Sequence, residues 1–158
     1  MKLTFASTTH NDGETLVKIR IDAMRESLER IGRFDPQRAR DRFLLSFDPS
    51  CSRFIVADGV SVGFVVVKPT DGYLMIENLY ILPEHQGRGI GSVVLDSIFA
   101  DADSRSIPVK VGALRESDAN RFYQRHGFVK IEEAEWDIHY VRAPRDRDSG
   151  VSASVDLQ

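Results

Sequence analysis

Cysteine is nearly absent: Cys51 is the one thiol in 158 residues, which excludes an internal disulfide framework. It has no base beside it in sequence and reads as a small packing residue rather than a nucleophile. Histidine is sparse too. His10, His85, His126 and His139 lack metal-ligand spacing and no Cys/His cluster exists, so no metal is implied. Long apolar runs are missing, and nothing approaches the roughly 20 residues that a membrane-spanning helix needs. The first residues, Met1-Lys2-Leu3-Thr4-Phe5-Ala6-Ser7, alternate and lead into polar ones, unlike a secretory leader. An excess of charge is also lacking. A formal net charge of -3 and a pI near 5.8 give no overall attraction to nucleic acid or to an anionic membrane. These absences lead to the expectation of a cytoplasmic protein with neither nucleic acid nor membrane as partner.

What is present is ordinary for a globular domain: 42% hydrophobic and 28% charged residues. Leu3 and Phe5 alternate with polar neighbours and predict a first strand. Asn11 or Asp12 is placed to cap a helix whose apolar stripe is Val17, Ile21, Met24, Leu28 and Ile31, with Gly32 as its stop. Asp35-Pro36 is a cap and first helical position for a second helix that carries Phe43, Leu44 and Phe47 inward. Three strands then follow, at residues 54–57, 62–67 and 73–82. Asp58-Gly59 and Thr70-Asp71-Gly72 are the turns between them, so they form an antiparallel meander. After Pro83 and a glycine-rich loop, Val93, Val94, Leu95, Ile98 and Phe99 mark a helix to about Asp103. Residues 107–111 read as a strand parallel to the one before. Ser117 is placed to cap a helix to Arg125 with Phe122 inward, and residues 128–131 and 136–141 form a closing strand pair. The charged, then small and polar, residues 144–158 read as a disordered tail after a single domain of residues 1–143.

The strongest local signal is Gln86-Gly87-Arg88-Gly89-Ile90-Gly91, between an apolar strand and an apolar helix. Glycines free the backbone to turn tightly and leave its N–H groups open to a ligand. The start of the helix adds unsatisfied N–H groups and a positive dipole end, and together these make a phosphate or pyrophosphate site. Arg88 adds a permanent cation. A Walker loop needs Lys-Ser/Thr after its last glycine, and Ser92-Val93 stands there instead. A dinucleotide loop opens a parallel βαβ unit with G-x-G-x-x-G, which this segment also lacks.

The pattern Gln86-x-x-Gly89-x-Gly91 resembles the cofactor signature of the GNAT acetyltransferase superfamily. Glu77-Asn78-Leu79-Tyr80-Ile81-Leu82-Pro83 resembles that family's fourth strand and its proline exit. Asn120-Arg121-Phe122-Tyr123-Gln124-Arg125-His126-Gly127-Phe128 resembles its Asn…Tyr-x-x-x-Gly-Phe element. The resemblance runs from Leu3 to about Val141. It implies a mixed α/β fold with a mostly antiparallel sheet of about seven strands and about four helices, splayed between strands 4 and 5.

The activity it implies is transfer of acetyl from acetyl-CoA directly to an amine, without a covalent enzyme intermediate and without a metal. By the same resemblance the coenzyme pyrophosphate rests on Gln86, Gly87, Arg88, Gly89, Ile90 and Gly91, with Ser92 adding a hydroxyl. The pantetheine arm pairs with backbone groups of the strand carrying Leu79, Tyr80 and Ile81, and Asn120 hydrogen-bonds that arm. Tyr123 is the implied general acid for the departing thiolate. Glu77, on the side of its strand that alternation assigns to Leu79 and Ile81, is the implied general base. His85 is expected to face solvent. Arg25 and Arg33, near the connection of the first two helices, and Asp137 and His139 near the chain's end are candidates for the acceptor pocket. The acceptor is a small-molecule or peptide amine. A non-catalytic acyl-CoA sensor and a protein N-terminal or lysine acetyltransferase remain alternatives, and a homodimer is compatible with the family.

Overall fold

Among residues 1–146, which the computed structural model describes, seven strands and four helices follow one another in the expected order. They are β1 (Leu3–Ser7), α1 (Gly13–Arg30), α2 (Pro36–Ser46), β2 (Ser52–Ala57), β3 (Val60–Thr70), β4 (Tyr73–Ile81), α3 (Ile90–Ser104), β5 (Val109–Leu114), α4 (Ala119–Arg125), β6 (Val129–Glu133) and β7 (Asp137–Arg142). The sheet order is β1-β2-β3-β4-β5-β7-β6, a mixed α/β architecture. β1 and β2, β2 and β3, β5 and β7, and β6 and β7 pair antiparallel. The last strand therefore inserts between β5 and β6. Asp58 and Gly59 both have positive φ (50° and 83°), the backbone that a two-residue hairpin needs to follow strand twist. No helix of the described residues is long and apolar enough to cross a membrane.

The chain divides into two compact units. The first comprises Met1–Lys68 and Ile76–Gly91. Its core joins Leu16, Val17 and Ile19 of α1, Phe43 of α2, and Phe64 and Val66 of β3. Phe43 stacks on Phe47 and meets Phe64 edge-on, both at 5.7 Å between centroids, and such pairs add about 1 kcal/mol beyond area burial. Within the expected α1 stripe only Val17 is fully buried; Ile21, Met24, Leu28 and Ile31 are half-buried. Leu16 and Ile19 carry the core instead. Gly13 lets α1 and α2 approach, because a Cβ there would stand 2.9 Å from Leu44. Asp12 stands at the N-cap of α1 as expected, but its side chain makes no cap bond to that helix. Thr9 and Asp12 form a capping box around a short 3-10 turn, in which Asp12 accepts the Thr9 N–H at 2.7 Å.

The second unit comprises Pro69–Met75 and the chain from Ser92 onward. α3 buries Val94, Leu95, Ile98, Phe99 and Ala102, and β5 buries Val109, Val111 and Ala113. β5 begins two residues later than the pattern predicts, because Ser106 adopts φ 56° and the Ile107 N–H returns to the Ala102 carbonyl. Ser117 does not cap α4; its hydroxyl donates to the Leu114 carbonyl at 2.7 Å. Tyr123, not Phe122, is the buried aromatic of α4. Phe128 joins it edge-on at 5.3 Å, and Phe99 lies 5.6 Å from Phe128. Of the expected tail, Arg145 donates its backbone N–H to Asp103 at 3.0 Å. Residues 147–158 lie outside the described residues.

Candidate active site

The glycine loop is built as its sequence implies. Gly87 and Gly89 have φ of 78° and 79°, and no atom would crowd a Cβ at either. Conformation, not space, thus requires glycine at both positions. Alternating left-handed residues turn successive N–H groups into a concavity that suits an anion. The loop is anchored at its base, where the Gln86 amide donates to the Ile81 carbonyl at 2.9 Å and the His85 N–H donates to the Leu82 carbonyl. α3 follows from Ile90 for 15 residues and has no acidic residue in its first turn. Nothing there repels a phosphate at the positive end of the helix. The residues present therefore fit a pyrophosphate.

Arg88 is held in place rather than free. Its Nη1 lies 3.1 Å from His85 Nδ1, and its Nη2 lies 3.5 Å from the Met1 sulfur. The expectation that His85 faces solvent is corrected accordingly: the ring is half-buried and braces the loop's cation.

β4 departs from regular alternation in the stretch that carries the candidate strand residues. Tyr80 lies against Phe64 at 5.8 Å between centroids and under the Arg20 guanidinium of α1 at 5.9 Å. Tyr80 and Leu82 thus pack on the core shared with α1 and α2. Glu77 pairs with Lys68 at 3.2 Å, and the same ammonium reaches the Ser46 carbonyl at the end of α2. Glu77 and Tyr80 are three residues apart and both reach the helix layer, where strict alternation would separate them. Glu77 is therefore not on the side shared by Leu79 and Ile81. Gly63 of β3 makes this path available. A Cβ at Gly63 would overlap the Tyr80 carbonyl oxygen and stand 3.1 Å from Ile81 Cα. Gly63 was not among the expected site residues, yet a glycine inside a strand is the signal of a close backbone approach.

The second unit holds the remaining candidates. Tyr123 is 5% exposed, ringed by Phe122, Phe128 and Tyr140. Asn120 is corrected. Its amide donates to the Leu114 carbonyl at 2.9 Å and to the Ser117 carbonyl at 3.0 Å, and its oxygen accepts the Tyr140 hydroxyl at 2.8 Å. Both amide hydrogens are spent on the protein's own carbonyls, so Asn120 fastens α4 to β5 and β7 and offers none to a coenzyme arm. Ser92, in the first turn of α3, lies 2.9 Å from His126 Nε2. That partner was missed, because residues 34 apart carry no joint sequence signature.

Among the acceptor candidates, Arg25 stacks over Phe34 at 4.3 Å in the α1–α2 connection, while Arg33 donates its backbone N–H to the Leu28 carbonyl. In the second unit Asp137 pairs with Leu114 and His139 with Gly112, whose missing side chain leaves room for the imidazole. Cys51 is half-buried, its sulfur 3.6 Å from Asp48 Oδ2. Among the described residues no group of three His, Cys, Asp or Glu side chains is placed to hold a metal ion.

A mixed seven-stranded sheet with a left-handed glycine loop opening a long helix is the architecture of the acetyltransferase (GNAT) fold. The family model described as an acetyltransferase (GNAT) domain matches residues 50–130, a little over half of the chain, and the chain belongs to that family. Solved structures of the same fold include the PaiA N-acetyltransferase of Thermoplasma acidophilum in complex with coenzyme A. It is 16% identical with a TM-score of 0.73, over 90% of this chain and 99% of that one. A GCN5-related N-acetyltransferase of Rhodopseudomonas palustris gives a TM-score of 0.74 at 19% identity, over 90% of this chain and 96% of that one. An acetyltransferase of Thermus thermophilus gives 0.70 at 22% identity, over 90% and 97%. At these identities the likeness is one of fold. No curated protein matches the sequence.

Proposed function

We propose that the protein is an acetyl-CoA-dependent N-acetyltransferase that forms a ternary complex and transfers acetyl directly to an amine of a small molecule or peptide. The observation that carries this reading is the loop of residues 86–91, with Gly87 and Gly89 left-handed at the start of α3, inside a chain of the acetyltransferase family. The pyrophosphate rests on the loop backbone, and the pantetheine arm runs along β4 at Leu79 and Ile81. The amine nitrogen bonds to the thioester carbonyl carbon, and the carbon–sulfur bond breaks. Tyr123 gives its phenolic proton to the leaving thiolate. The amine's proton leaves through a water to Glu77, which must share its carboxylate with Lys68 to accept it. We place the enzyme in the cytoplasm, where its single thiol stays reduced.

The test is release of free thiol from acetyl-CoA in the presence of amines, polyamines, amino acids and short peptides. Amine-dependent release that falls by about 10²-fold or more in Tyr123→Phe is the expected outcome for a lost general acid. Calorimetric binding of acetyl-CoA without release from any acceptor would turn the reading toward a sensor. Absence of binding would overturn it.

A further inference from the structure

His126 joins two helix ends in the second unit. Its Nδ1 lies 2.8 Å from the Phe122 carbonyl and its Nε2 lies 2.9 Å from the Ser92 hydroxyl. A carbonyl only accepts, so Nδ1 carries a hydrogen in either charge state of the ring. The direction of the second bond then depends on Nε2. A neutral ring accepts there, and the Ser92 hydrogen is consumed by His126. A protonated ring donates there, and the Ser92 hydrogen is released to point elsewhere. Ser92 sits in the first turn of α3, directly after the glycine loop, where an anion is favoured.

We propose that His126 is a positioning residue that sets the donor direction of Ser92, so that binding of the coenzyme pyrophosphate is coupled to uptake of a proton. The proposal rests on reading residues 86–91 as the pyrophosphate site. With the ring neutral, Ser92 presents oxygen lone pairs to an incoming phosphate and repels it. With the ring protonated, Ser92 donates to the phosphate, and a positive charge stands one hydroxyl behind it. The ligand therefore selects the protonated form, and by reciprocity protonation tightens the ligand.

The charged groups on the elements around the ring leave this role to the ligand. Arg121 and Arg125 share α4 with His126, the Arg145 guanidinium abuts Gly127, and Asp96 stands one turn beyond Ser92 on α3. Among the described residues neither hydrogen-bond partner of His126 is a carboxylate. Phe122 packs its ring at 4.6 Å from the imidazole and fixes its plane.

Calorimetry with dephospho-coenzyme A tests this, because that ligand keeps the pyrophosphate and lacks the 3′-phosphate, a monoester that itself titrates near pH 6. Titrations between pH 6 and 8.5, in two buffers of different protonation enthalpy, report protons taken up on binding. The expected result is net uptake, with affinity falling as pH rises by up to about tenfold per pH unit, the limit for one linked proton. In His126→Gln and in Ser92→Ala the uptake disappears and affinity becomes flat with pH, while thermal melts show both variants folded. Binding with no uptake in the native chain, or with the same uptake in both variants, overturns the proposal and leaves the acetyltransferase reading standing. No binding of dephospho-coenzyme A or of acetyl-CoA at any pH overturns both.

Discussion

Asn120 is spent inside the fold. Its two amide hydrogens go to the Leu114 and Ser117 carbonyls, and its oxygen takes the Tyr140 hydroxyl. Tyr140 is almost wholly buried, and burial pushes its phenol above the ordinary tyrosine value, so it stays a neutral donor in need of this acceptor. Asn120→Ala leaves that hydroxyl orphaned, which costs about 1–3 kcal/mol. The expected outcome is a drop of about 2 kcal/mol in unfolding free energy by urea titration, with coenzyme affinity little changed. Native stability together with weakened coenzyme binding would return Asn120 to the coenzyme site. From sequence the two roles could not be told apart. A helix-start asparagine suits either, and only the approach of β7, 20 residues on, decides it.

Among the elements, β4 sets the limit of what the sequence discloses. The Asp58-Gly59 hairpin and the loop glycines are legible because their backbone requirement is local: positive φ, met by glycine and tolerated by aspartate. The change of side in β4 between Glu77 and Tyr80 is not local. It depends on β3 leaving room at Gly63, and period-two counting therefore assigned Glu77 to the wrong face. A strand-interior Gly→Ala exchange in an open position normally stabilises by roughly 0.5–1 kcal/mol. At Gly63 the sign reverses, because the added methyl overlaps the Tyr80 carbonyl and β3 and β4 must part. Gly63→Ala is expected to lose about 1–3 kcal/mol in thermal unfolding, the range for overpacking, and to weaken acetyl-CoA binding. A variant as stable as the native chain would show that β4 does not need this close approach.

At the scale of the whole chain, the least legible interaction is one of the most buried. Asp103, at the end of α3, accepts both terminal nitrogens of Arg142 at 2.8 and 3.1 Å and the Arg145 N–H at 3.0 Å. The two side chains are 1% and 4% exposed, and the Arg142 guanidinium lies 4.0 Å over the Phe99 ring. The partners are 39 residues apart, and nothing near either one in sequence marks it as buried. Charges are rarely buried fully, so a sequence reading places both on the surface by default. The pair joins the end of α3 to β7 and to the segment beyond it, which the charged composition after Ala143 had assigned to a tail. Removing one member of a buried pair leaves the other charge without compensation, at a cost of about 3–5 kcal/mol. Asp103→Asn keeps the shape and removes the charge. At about 2–4 °C per kcal/mol for a chain of this size, its melting temperature is expected to fall by at least about 6 °C. An apolar double replacement, Asp103→Leu with Arg142→Met, desolvates no charge, so it should lose less than the two single variants together. A fall of less than about 2 °C in Asp103→Asn would mean that solvent already reaches the pair and that packing of Phe99, Phe128 and Tyr140 holds this end of the unit without it.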